Sequence, residues 1–240
     1  MPALEALTRL ANGAVQLQTT PVVAAYLSFV LVSPVWRRFV PAVEIRKPMI
    51  VYNFFCAIAS LYSLVLIMMA IIPEWPGSLF DTRMHPYVKH GNYVYWLTKN
   101  VELLDTVIMI VRHRTRQVTF LHVFHHSTMA LFSEYGYRYG GFPAAGFLLA
   151  LNSLIHVFLY YYYGQTARRV GMRPIWKKAL TELQLTQFFI GVWHQTTGYL
   201  YYNFCWYALV YEFSMIILFS NFYYHAYLKD KPKTTTKKVE

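Results

Sequence analysis

Residues 49–72 run without a charged side chain, and a helix of about 20 apolar residues crosses the hydrocarbon core of a bilayer. Hydropathy places six further candidate spans near 21–36, 93–112, 118–137, 142–163, 175–198 and 204–228. Composition agrees. The 240 residues are 56% hydrophobic, 18% aromatic and 14% charged, where soluble domains carry about 25% charge. The chain is therefore expected to be an all-α integral membrane bundle of seven transmembrane helices. It occupies residues 21–228 as one domain, after an N-terminal segment 1–20 and before a basic tail 229–240. Glu5 and Arg9 precede the first apolar stretch, which has no small-residue cleavage site and is read as a membrane helix rather than a signal peptide.

The net charge of +11 would suggest nucleic acid in a soluble protein, but here the basic residues sit in short loops between apolar runs. Nucleic acid is therefore not expected as a partner; membrane lipid is. Arg37, Arg38, Arg46 and Lys47 follow the first span, Arg112, Arg114 and Arg116 the third. Arg168, Arg169, Arg173, Lys177 and Lys178 lie between the fifth and sixth, and Lys229, Lys231, Lys233, Lys237 and Lys238 follow the seventh. Against these 17, the other side holds Arg9, Arg83, Lys89 and Arg138. The positive-inside rule makes the tail cytosolic and the N-terminus lumenal. Lys237 and Lys238 then stand where a dilysine signal retrieves membrane proteins to the endoplasmic reticulum; a merely solvated basic tail is the plainer alternative. Cys56 and Cys205 fall near opposite membrane faces, so no disulfide between them is expected.

Polar side chains inside the spans mark the functional centre. His122, His125 and His126 stand at i, i+3 and i+4 and share one helix face. Lys99, Glu102 and Thr106 share a face in the third span, where Lys99 and Glu102 can neutralise each other. Asp105 has no obvious partner in its own helix and is expected to orient an imidazole. Asn152, His156, Tyr160 and Tyr163 form a stripe in the fifth span, with Tyr161 and Tyr162 beside it; some of these tyrosines fit an interfacial belt equally well. Thr181, Gln184 and Gln187 in the sixth span are either interhelical glue or substrate-facing groups. His85, His90, His113 and His225 are expected in solvent. Counted from the cytosolic ends of their spans, the box, Asp105 and His156 all fall about 6 to 12 Å deep, so one site reached from the cytosol can collect them.

An H-x-x-H-H box fits either metal-dependent desaturases and hydroxylases or metal-free chemistry, and a transporter with an intramembrane ion relay is a third reading. The single box with one further partner, His156, weakens the metal reading, and no metal is expected. The sequence resembles the ELO family of very-long-chain fatty acid elongases across nearly the whole chain. Lys99, Glu102, Asp105 and Thr106 match its K-x-x-E-x-x-D-T, and His122, His125 and His126 its H-x-x-H-H. Asn152, His156, Tyr160, Tyr162 and Tyr163 match N-x-x-x-H-x-x-M-Y-x-Y-Y, and Thr181, Gln184 and Gln187 match T-x-x-Q-x-x-Q. Leu159 departs from the usual Met, a swap of similar volume. Gln117 and the Val-Thr-Phe-Leu after it resemble polyunsaturated and long-chain elongases alike.

The resemblance implies 3-ketoacyl-CoA synthesis from a long-chain acyl-CoA and malonyl-CoA, with no cofactor, in the endoplasmic reticulum membrane. It also implies six helices around a closed acyl tunnel, and makes other enzymes of the elongation cycle and a second copy of the chain candidate partners. Condensation needs an acyl acceptor and a way to stabilise an enolate. Neither cysteine lies near the box, so a neutral imidazole is the natural substitute; the sequence does not order the three histidines, and the working hypothesis takes His125 as nucleophile, with Asp105 or His126 holding a ring and His156 and Asn152 facing the enolate oxygen. Arg112, Arg114, Arg116, Arg168, Arg169 and Lys178 are candidates for CoA phosphates. Trp193, Tyr199 and Trp206 are candidates for the far end of the tunnel.

Overall fold

The computed structural model describes residue 13 and residues 16–169 and 176–229; Arg9, Arg173, Lys231, Lys233, Lys237 and Lys238 lie outside the described residues. Every regular element among the described residues is helical: α1 (Thr19–Phe39), α2 (Arg46–Ile71), α3 (Pro86–Glu102), α4 (Leu104–Val111), α5 (Phe120–Tyr139), α6 (Pro143–Arg168), α7 (Lys177–Tyr201) and α8 (Trp206–Tyr223). Because α3 and α4 are two halves of one rod, there are seven rods. Three helices are long and apolar enough to cross a membrane by themselves, Thr19–Phe39, Arg46–Glu74 and Pro143–Arg168. The chain is a multi-pass membrane protein.

The pattern of α2 is that of a lipid-facing helix. Val51, Phe55, Ile58, Tyr62, Val65, Met69 and Ile72 are exposed, three and four residues apart in alternation. The opposite face buries Asn53, Cys56, Ala57, Ser60, Ser63, Ile67, Ala70 and Ile71. Lipid is as apolar as leucine, so helices associate here through small residues that permit close approach. A Cβ at Gly91 of α3 would sit 2.6 Å from Ile67 Cγ1, and one at Gly146 of α6 would sit 2.9 Å from Ile67 Cγ2. Ile67 is thus held between two glycines, with α3 and α6 both packed against α2.

The described residues up to Arg169 form one compact unit. Within it α3 also packs on α5, and α1 packs on α4 and α5. The third rod is not continuous: the Leu103 N–H bonds to Asn100 O at 3.3 Å, a tightened turn between Glu102 and Leu104. Arg112 and His113 close α4 in a Schellman arrangement, with Arg114 N–H donating to Met109 O, His113 N–H to Ile110 O, and His113 at φ 56°. His113 is therefore half-buried, with Nε2 enclosed, rather than in solvent as expected. Thr119 then caps α5 by accepting the His122 N–H.

The described residues from Trp176 to Lys229 form the second unit, a hairpin of α7 and α8 followed by a π-turn at Tyr224–Leu228. Asn203 at φ 59° turns the connection, and Phe204 folds back onto Gly198. Cys56 and Cys205 are both free thiols, as expected.

Candidate active site

The centre of the first unit is a buried polar cluster. Lys99 Nζ lies 3.0 and 2.9 Å from the two Glu102 oxygens and 3.0 Å from His156 Nδ1, with Glu102 Oε1 3.1 Å from the same Nδ1. Side chains of the Lys99–Glu102 pair are 3% and 2% exposed, so the pair expected within the helix is present, and it extends across to α6. Lys99 Nζ also stands 4.8 Å from the centre of the Tyr95 ring.

The histidine box faces the same region from α5. His122 and His126 lie with ring centres 4.2 Å apart and planes tilted by 44°, and His125 meets His126 edge-on at 5.6 Å. The box helix α5 packs on α3, which carries Lys99 and Glu102. Thr106 links the third rod to the box, its hydroxyl 2.8 Å from His122 Nε2. Among the described residues no three His, Cys, Asp or Glu side chains are grouped to hold one metal ion.

Two partners differ from the sequence expectation. Asp105 is bonded to a phenol rather than an imidazole: its Oδ2 accepts the Tyr160 hydroxyl at 2.6 Å across to α6. Asn152 Oδ1 accepts the Tyr95 hydroxyl at 2.7 Å, which fixes the amide so that its N–H₂ is the edge left to a ligand. Tyr95 belongs to no motif recognised in the sequence; its place one helical turn before Lys99 was the available signal. Tyr160 is buried and packs on His156 with ring centres 5.7 Å apart, so it belongs to the core of the site rather than to an interfacial belt. Tyr161 is exposed and Tyr162 half-buried.

A cavity of about 630 Å³ opens beside this cluster, with Asp105, Asn53, Met49, Arg46, Arg112 and Tyr163 in its wall. Arg112 reaches Met49 Sδ at 3.2 Å, and Arg46 is tied to the end of α6 through Ala167 O at 2.8 Å and Arg168 O at 2.6 Å. Arg46 was counted for topology but not offered as an anion ligand. Arg114, Arg116, Arg168 and Arg169 are exposed and do not line the cavity. In the second unit, Thr181 and Gln187 are buried, Gln184 is half-buried, and the Thr181 hydroxyl donates to Lys177 O at 3.2 Å. Lys178 is exposed beside Glu182 at 3.5 Å. His85 caps α3 by accepting the Tyr87 N–H, and His90 is exposed 3.4 Å from the Tyr62 hydroxyl.

The profile of the ELO: GNS1/SUR4 family matches residues 16–235. Very long chain fatty acid elongase 4 of Mus musculus is 33% identical over 91% of this chain and 74% of its own length. Very long chain fatty acid elongase 1 of Mus musculus is 37% identical over 78% and 73%, and very long chain fatty acid elongase 7 of Rattus norvegicus 33% over 80% and 74%. With a family match over nearly its whole length and relatives of this identity, the chain belongs to the ELO family.

Proposed function

We infer the working of this enzyme from the polar cluster and the cavity beside it. The chain acts in fatty acid elongation and catalyses its condensing step, 3-ketoacyl-CoA synthesis. Of the readings open from the residues alone, family membership selects this one over a metal-dependent desaturase or a transporter. The observation that carries the proposed mechanism is the buried Lys99–Glu102–His156 cluster, with the histidine-box helix α5 packed on the helix that carries Lys99 and Glu102 and with Thr106 bonded to His122.

In the proposed route the neutral His125 imidazole attacks the thioester carbonyl of a long-chain acyl-CoA. The C–S bond breaks, CoA leaves with the imidazole proton as free thiol, and the acyl group stays on the ring. Malonyl-CoA then loses CO₂, and the electron pair of that C–C bond becomes an enolate. Its carbon attacks the acyl-imidazole, the C–N bond breaks, and His125 recovers a proton from solvent. The Asn152 N–H₂, fixed by Tyr95, and His156, held at Nδ1 by Lys99 and Glu102, are assigned to the enolate oxygen. Asp105 positions Tyr160 against His156. No cofactor enters this chemistry.

Arg46 and Arg112 at the cavity wall are the proposed contacts for CoA phosphates, in place of the exposed arginines. The acyl chain is assigned to a tunnel among six of seven membrane-spanning rods, with Trp193, Tyr199 and Trp206 as candidates for its far end. We place the protein in the endoplasmic reticulum membrane with a lumenal N-terminus and cytosolic tail, on its family and on the charge asymmetry of its loops, with other elongation-cycle enzymes and a second copy as candidate partners.

Purified protein given saturated and polyunsaturated acyl-CoAs with malonyl-CoA, and no reductant, is expected to yield 3-ketoacyl-CoA two carbons longer. Acyl-CoA alone should add one acyl group to the intact mass, lost in His125→Ala. Condensation without any adduct on the wild-type protein would overturn the acyl-imidazole route.

A further inference from the structure

The first helix, α1, reaches the histidine box through two hydrogen bonds in series. Tyr26 of α1 is buried, and its hydroxyl lies 2.8 Å from Thr106 Oγ1, which in turn lies 2.8 Å from His122 Nε2. Helix α1, which carries Tyr26, packs on both α4 and α5, which carry Thr106 and His122. Val23, Tyr26, Leu103 and Ala130 form one apolar cluster beneath the hydroxyl, with Val123 packed against it from the box helix. The Thr119 cap fixes the His122 backbone at the first turn of α5.

The direction of this chain of hydrogen bonds follows from proton count. Thr106 has one hydroxyl proton, and Thr106 is the only hydrogen-bond partner of Tyr26 Oη among the described residues. If the phenol accepted from Thr106, its own proton would be stranded at membrane depth, where unsatisfied donors are strongly disfavoured. Tyr26 therefore donates to Thr106, and Thr106 donates to His122 Nε2. An imidazole that accepts at Nε2 carries its proton on Nδ1. We propose that Tyr26 is a positioning residue of the condensing site: through Thr106 it locks His122 in the Nδ1–H tautomer, so that the first histidine of the box meets the substrate as a hydrogen-bond donor.

This assignment rests on the elongase mechanism above and divides the labour within the box. His122 polarises an acyl or enolate oxygen, which leaves His125 as nucleophile. Tyr26→Phe keeps the ring and its packing and removes only the donor. Turnover in this variant is expected to fall about tenfold, with the KM of both CoA substrates within about twofold of wild type. Thr106→Val should fall at least as far, and Tyr26→Phe should add nothing to it, since the path is already cut.

The deciding readout needs no turnover. In the full-length chain reconstituted in lipid with ¹⁵N-labelled histidine, the His122 signal, assigned by its loss in His122→Gln, should show Nε2 unprotonated and Nδ1 protonated. In Tyr26→Phe the Nε2–H tautomer should appear. A His122 protonated at Nε2 in the wild-type protein, or a tautomer unchanged in Tyr26→Phe, overturns the proposal. So does an additive loss in the double variant. A protein that makes no 3-ketoacyl-CoA from any acyl-CoA would instead overturn the elongase reading, and the tautomer measurement would still decide the role of Tyr26.

Discussion

A lysine and a glutamate buried side by side in a membrane helix can exist only to neutralise each other, and Lys99 with Glu102 could be read that way. Their contacts with His156 argue for more. Lys99→Met leaves the Glu102 carboxylate without its cation in a dry site and is expected to destabilise by about 3–5 kcal/mol. Lys99→Met with Glu102→Met removes both charges and should recover most of that loss in thermal unfolding in detergent. If the pair serves the reaction, condensation in the double variant stays at least about tenfold below wild type. Recovery of turnover together with stability would reduce the pair to a structural device. At this scale the sequence carries what lies within one helix: i, i+3 and i+4 spacing puts Lys99 with Glu102 and His122 with His126. Partners between helices depend on rotation and register that spacing does not encode. Asp105 finds Tyr160, Asn152 finds Tyr95 and Thr106 finds Tyr26, so Tyr95 and Tyr26 stayed hidden among the 21 tyrosines of the chain, and Tyr160, legible in its stripe, gave no sign of its partner.

Among elements, the close approach of α2, α3 and α6 depends on Ile67 filling the space that Gly91 and Gly146 leave. A methyl added at Gly91 meets Ile67 Cγ1 at 2.6 Å and Ser63 O at 3.2 Å, so a side chain and a backbone atom must both give way. Gly91→Ala is expected to lower stability by about 1–3 kcal/mol. Gly91→Ala combined with Ile67→Ala should cost less than the two single changes added together, because the first occupies room the second creates. Thermal unfolding of the four proteins in one detergent decides it; strict additivity would mean that the glycine is not a packing contact. Hydropathy located each rod because lipid-facing stripes such as Val51, Phe55 and Ile58 dominate it. It placed the third rod at 93–112, whereas α3 starts at Pro86, behind a His85 cap. The polar first turns of α3 lower hydropathy there although Val88, Gly91 and Asn92 are buried. The break at Leu103 and the left-handed His113 had no sequence signal, since neither uses glycine or proline.

For the whole molecule, the orientation proposed from the charge asymmetry places a functional demand on one face. The cavity wall holds Arg46 and Arg112, both on the side assigned to the cytosol, where CoA esters would enter. If that orientation is right, the only two cysteines report it without any mutation. Cys205 is exposed at the start of α8, the end assigned to the lumen, and Cys56 is fully buried in α2. In sealed endoplasmic reticulum vesicles with their cytosolic face outward, a membrane-impermeant maleimide should leave the folded protein unlabelled. Permeabilising the vesicles without unfolding should add one label, absent in Cys205→Ser, and a second should appear only on denaturation as Cys56 is uncovered. Labelling of Cys205 in the sealed vesicles would place the α7–α8 connection in the cytosol, invert the chain, and turn the Arg46 and Arg112 wall away from the compartment that supplies its substrates.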